Sequence, residues 1–92
     1  MIKSFKDKET KKIFNGEYSK ELPEDIQSRA YRKLVMLNAA VDLRDLKSPP
    51  GNRLEKLKNN DDLYSIRIND QFRIRFIWKD NIAYQVEIVD YH

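Results

Sequence analysis

A chain of 92 residues makes one small domain, residues 1–92, with a single modest core and no room for a large internal cofactor cavity. It has no cysteine and one histidine, which excludes a disulfide framework and a thiolate metal site and argues against a zinc centre. Charged residues make up 36% of it and the net charge is +3, a mildly basic balance that permits nucleic-acid binding where the cations cluster.

The opening, Met1-Ile-Lys-Ser-Phe-Lys-Asp-Lys8, holds no apolar signal run, and no later stretch is long and apolar enough to span a bilayer. A cytoplasmic protein with no membrane partner and no cofactor is expected. Ile2 to Phe5 reads as a short strand. Asp7 is suited to cap a helix that Gly16 would stop, which predicts a helix over about residues 8–15. A loop follows to Leu22. Pro23, with Glu24 and Asp25 after it, predicts a helix opening with proline as the first helical residue. Ile26, Ala30, Leu34, Leu37 and Val41 then recur at helical spacing, so the stripe predicts a helix continuing through Val41 for another turn or two. Ser48-Pro-Pro-Gly-Asn52 breaks it.

The second half changes period from 3.6 to 2. Leu54 to Lys58 allows a short strand. Tyr64, Ile66 and Ile68 alternate with polar residues, as do Phe72, Ile74, Phe76 and Trp78, and then Ile82, Tyr84, Val86 and Ile88. The expected fold class is α+β, with N-terminal helices on one face of a small antiparallel sheet. Three-residue loops at 69–71 and 79–81 would align the apolar partners. Ile66 then faces Ile74, Tyr64 faces Phe76, Trp78 faces Ile82 and Ile74 faces Val86. The same register sets Arg67 opposite Arg73, Arg75 opposite Gln85, and Arg73 opposite Glu87.

The open face therefore carries Arg67, Arg73 and Arg75. Such a face often serves only solubility. Arginine's planar fork also suits a phosphate, and Arg53, Lys56 and Lys58 just before the sheet could reach neighbouring phosphates. Beyond the last strand stand Asp90, Tyr91 and His92. Tyr91 shares the parity of the arginine face. The imidazole of His92 can take and give protons near neutral pH, although a terminal histidine is commonly just solvated.

Four stretches together resemble the HigB-type toxins of bacterial toxin–antitoxin systems, within the RelE/ParE superfamily. They are Met1-Ile-Lys-Ser-Phe5, Leu43-Arg-Asp-Leu-Lys-Ser-Pro-Pro-Gly-Asn-Arg-Leu-Glu-Lys-Leu57, Ser65-Ile-Arg-Ile-Asn-Asp-Gln-Phe-Arg-Ile74 and Val86-Glu-Ile-Val-Asp-Tyr-His92. The run Ser48-Pro-Pro-Gly-Asn-Arg-Leu54 resembles the GraT-like branch. The resemblance implies a RelE-like fold and a ribosome-dependent endoribonuclease that cleaves messenger RNA without a metal. It implies as partners the ribosome, mRNA and a HigA-type helix-turn-helix antitoxin, with operator DNA engaged only through that antitoxin. Asp90, Tyr91, His92 and Arg73 match positions of the family's active site. Where several members carry a second histidine, this chain has Glu55.

RNA cleavage through the substrate's own 2′-hydroxyl needs a base, an acid and cations on the phosphate. His92 would move a proton, Arg73 with Arg67 or Arg75 would hold the phosphate, Tyr91 would stack or donate, Asp90 would orient His92, and Glu55 is left for the other proton. Two other readings stand beside this one: a ribosome- or RNA-binding growth inhibitor with weak catalysis, and a ParE-like inhibitor of DNA gyrase that acts by binding alone.

Overall fold

A computed structural model describes residues 1–57 and 62–91. Lys58 and His92 lie outside the described residues. Helix α1 (Lys8–Phe14) starts where Asp7 accepts a hydrogen bond from the Thr10 N–H at 3.2 Å. It ends in a Schellman arrangement: the Gly16 N–H bonds to the Ile13 carbonyl and the Glu17 N–H to that of Lys12, with Gly16 at φ 81°.

Helix α2 (Glu24–Ala39) buries Ile26, Ala30, Leu34 and Leu37. Pro23 is its N-cap, one residue outside the helix rather than its first residue. The predicted extension through Val41 does not form, and Val41 is 71% exposed. A competing local motif explains the stop. The Asp45 carboxylate accepts from the Val41 and Asp42 N–H groups, and Asp42 accepts from that of Arg44. This capping box opens a separate 3₁₀ turn, Leu43–Leu46, which turns Leu46 into the core. A second 3₁₀ turn, Pro50–Asn52, ends at Arg53 in the left-handed region, φ 44°.

Strands β1 (Glu55–Lys56), β2 (Leu63–Arg67), β3 (Phe72–Lys79) and β4 (Ile82–Asp90) form an antiparallel meander in that order. β1 is shorter than expected. The first residues do not make a strand of their own. They lie along β4 through two parallel bridges, Ile2 with Ala83 and Phe5 with Val86. The core lies between the helices and one sheet face, around Leu34, Leu37, Leu46, Ile66, Ile74, Phe76 and Val86. Trp78 sits in it, edge-on to Phe76 at 6.3 Å. Among the described residues, no helix is long and apolar enough to cross a membrane.

The β2–β3 register is as predicted, with Ile66 opposite Ile74, Tyr64 opposite Phe76 and Arg67 opposite Arg73. The β3–β4 register is not. Lys79 faces Ile82, Trp78 faces Ala83 and Ile77 faces Tyr84, so only Asp80 and Asn81 form the turn. Both have positive φ, 54° and 64°, as a type I′ turn demands. The apolar alternation is then restored by a bulge. Gln85 takes φ 51°, and past it Arg75 faces Glu87 and Ile74 faces Ile88. Ala83 and Val86 are the buried β4 residues, in place of the predicted run Ile82, Tyr84, Val86 and Ile88.

Gln85→Val tests the bulge. Valine suits strands, but a β-branched residue with positive φ is strained, so the variant should lose about 1–3 kcal/mol in urea unfolding. Unchanged stability would mean that the bulge is not a fixed feature of β4.

Candidate active site

The outer sheet face carries the arginines, and each is held differently. Arg75 is captured by Glu87, with Nε and Nη2 at 3.0 and 2.9 Å from the same carboxylate oxygen. Lys6 approaches that oxygen at 3.5 Å. The predicted pairing of Arg73 with Glu87 is thus overturned, because the two-residue turn and the bulge bring Glu87 to Arg75. Arg67 bonds to Asp70 in the β2–β3 turn. That pairing moderates its like-charge opposition to Arg73.

Arg73 is only 6% exposed. Its Nε donates to the Ser65 hydroxyl at 2.8 Å, and Nη2 donates to the Arg53 carbonyl at 2.5 Å and the Ser65 carbonyl at 3.3 Å. The Tyr91 ring lies over the guanidinium, 5.4 Å from centroid to Cζ. Glu55 Oε2 stands 3.9 Å from Nη2, close enough for attraction without a good hydrogen bond. A buried arginine bound to neutral oxygens keeps its charge, and holding it in one rotamer in advance lowers the cost of binding an anion.

Tyr91 is anchored by its main chain, whose N–H donates to the Gln71 carbonyl at 2.6 Å. Its hydroxyl donates to Glu55 Oε1 at 3.3 Å. Asp90 faces Phe72 across the sheet and accepts from the Gln71 amide at 3.0 Å. The turn that holds both is itself fixed by Asn69, whose side-chain oxygen accepts from the Gln71 and Phe72 N–H groups at 2.9 and 2.7 Å.

These groups surround a shallow depression of about 310 Å³, lined by Arg53, Arg67, Asn69, Asp70, Arg73 and Tyr91. Of the residues singled out in the sequence, Arg53, Arg67, Arg73 and Tyr91 come together here, with Glu55 beside Arg73 and Tyr91. Asp90 is next to Tyr91. Arg75 belongs to a neighbouring hollow with Lys6, Gln85 and Glu87. Lys56 pairs with Tyr64 and therefore takes the sheet face opposite to that of Glu55 and Ser65. Ser65 was not anticipated. Its outward parity beside Arg67 was the available signal, but nothing in that pattern showed it to be a buried bracket for a guanidinium. Chemically, the hollow is a cationic, aromatic-walled receptacle for an anion with an adjoining planar ring.

The family model for the RelE-like toxin of the type II toxin–antitoxin system HigB matches residues 3–92. The chain belongs to the HigB-like toxin family. It is 40% identical over 85 residues to Toxin HigB-1 of Vibrio cholerae, an alignment spanning 90% of each chain. It is 36% identical over 67 residues to an uncharacterized protein of Haemophilus influenzae, spanning 72% of this chain and 66% of that one. The α+β arrangement of helices on a four-strand antiparallel sheet agrees with the RelE-like fold of the HigB-like toxins. As a type II toxin, the protein has an antitoxin as its partner.

Proposed function

We propose that this HigB-like toxin is a ribosome-dependent, metal-independent mRNA endoribonuclease of the cytoplasm, neutralised by a HigA-type antitoxin through which alone it reaches operator DNA. The observation that carries the reading is the prearranged guanidinium of Arg73 beneath Tyr91, in a hollow that Arg53 and Arg67 also line. Phosphate would bind Arg73 and Arg67, and the neighbouring base would stack on Tyr91. The 2′-hydroxyl attacks the adjacent phosphorus, the bond to the 5′-oxygen breaks, and a 2′,3′-cyclic phosphate is left. His92 and Glu55 would be the two proton carriers, one taking the proton from the 2′-hydroxyl and the other supplying one to the leaving 5′-oxygen, with Asp90 orienting His92. Arg75, Lys56 and Lys58 would contribute to longer-range attraction of RNA. The hollow is shallow and open, so the ribosome supplies the substrate geometry.

Translation in a purified system, with 5′-end mapping of the message, tests this reading. In-frame cuts that vanish without ribosomes are expected. Translation arrest with intact message would replace the nuclease by a binding-only inhibitor, and arrest of gyrase instead would move the protein to ParE-like action.

Glu55 gives a second test. It reaches both Tyr91 and Arg73, where a carboxyl side chain can serve as a proton carrier. Glu55→Gln should slow cleavage and Glu55→His should speed it, each by less than about tenfold, a small part of a full acid–base contribution. Equal rates for all three proteins would remove Glu55 from the chemistry.

A further inference from the structure

Two cations of α2 reach residues adjacent in sequence to the lining of the depression. Arg29 and Lys33 lie four residues apart on α2, on one helix face. Arg29 Nη1 donates to the Ile68 carbonyl at 3.3 Å, and Ile68 directly precedes Asn69 of the lining. Lys33 Nζ donates to the side-chain oxygen of Asn52, and Asn52 directly precedes Arg53 of the lining. Asn52 is fully buried and is itself fixed by donating to the Leu46 carbonyl at 3.1 Å. The two helix cations are thus each tied to a segment that leads into the hollow, and Arg67 of the lining lies close enough to Lys33 to act on its charge.

We infer that Arg29 and Lys33 form a second anion subsite, adjoining the first through Arg67, that takes the RNA phosphate next to the one held by Arg73. The inference rests on the RNA-cleaving reading above. Its electrostatics agree: burial, followed by Arg29, Arg32 and Arg67, holds Lys33 below the usual lysine range. A half-buried amine crowded by three guanidiniums gains from an incoming anion. Continuity with the arginine hollow through Arg67 favours a nucleic-acid strand over an acidic protein segment. A strand must place a second phosphate beside the first, whereas a peptide carboxylate has no reason to.

Side-chain ¹⁵N NMR titrations with two non-cleavable probes test the assignment. One is a 2′-O-methyl dinucleotide with a single phosphate. The other is a 2′-O-methyl tetranucleotide. The dinucleotide should perturb Arg73, and the tetranucleotide should also perturb Lys33, raise its titration point and bind at least about threefold tighter. Lys33→Gln keeps an N–H donor for Asn52 but loses the charge. It should cancel the tetranucleotide's gain and reduce the slope of log affinity against log salt by about 0.7, while dinucleotide binding stays as in the parent. Arg29→Gln should act in the same direction, and Lys33→Arg should restore the gain. If the tetranucleotide binds parent and Lys33→Gln equally at every salt concentration, the pair Arg29 and Lys33 is not an RNA subsite, and an acidic protein segment becomes its candidate occupant. If Lys33 responds while Arg73 never does, the second subsite stands and the placement of the cleaved phosphate falls.

Discussion

Removing Tyr91 and His92, or replacing His92 by alanine alone, should abolish cleavage of ribosome-bound message without unfolding the domain. Positioned acid–base groups contribute about 10²- to 10⁴-fold in rate, and the chain has no second imidazole to substitute. Tyr91 is 42% exposed and stands beyond Ile88, the last β4 residue packed against the core. The truncation loses a cation–π contact and one well-formed main-chain bond, together worth about 1–3 kcal/mol. Thermal melts beside cleavage assays separate the cases. A lost unfolding transition together with lost activity would make the tail structural and end the catalytic reading.

Arg73→Ala should lower cleavage by about 10- to 150-fold, the rate equivalent of losing one charge-assisted contact in the transition state. Unlike an ordinary surface arginine, it should also cost stability. The Ser65 hydroxyl and the Arg53 and Ser65 carbonyls lose their donor in a nearly dry position, a penalty of about 1–3 kcal/mol. Arg73→Lys should recover part of the charge but neither the two-sided grip nor full activity, because an ammonium cannot reproduce the planar fork. The deciding comparison is made at a temperature where Arg73→Ala is still folded. Parental cleavage there would reduce Arg73 to a strut between β2 and the Arg53 turn.

Much of the fold could be read from local chemistry. Asp7, Gly16 and Pro23 mark helix ends because Asp7 satisfies a free N–H, Gly16 takes positive φ without a Cβ clash and Pro23 has no N–H to leave unpaired, each a property of a single residue. The overrun at Val41 came from trusting the apolar stripe over Asp42 and Asp45, whose carboxylates capture the N–H groups an extended helix would have used. The β3–β4 register was missed for a different reason. Ile77, Ala83 and Val89 are apolar on the supposed polar parity, so aligning the apolar partners through a three-residue loop did not fix the register. Asp80-Asn81, the pair suited to positive φ, was the better guide to the turn. The bulge at Gln85 depends on contact with the N-terminal segment, whose Ser4 hydroxyl accepts the Gln85 N–H at 2.9 Å. No local pattern shows that. The arginine face was legible by parity, but the burial of Arg73 was not, because it arises from Arg53 and Tyr91, neither of them a neighbour in sequence.

The docking of residues 1–6 on β4 has a kinetic side. The Lys3 N–H bonds to the Ala83 carbonyl and the Lys6 N–H to that of Val86, so a loop of some 80 residues must close before these bonds form. Closing it costs about 4 kcal/mol in chain entropy, far more than either local hairpin. Contacts of such long range form late in folding. These late bonds brace the Ala83 to Val86 stretch of the strand, while its far end, Asp90 and the Tyr91 backbone, is held by the pairing with β3 and by Gln71. Substitutions at Ile2 or Phe5 therefore act chiefly on how long the toxin stays folded, by speeding unfolding, and much less on how fast it first folds.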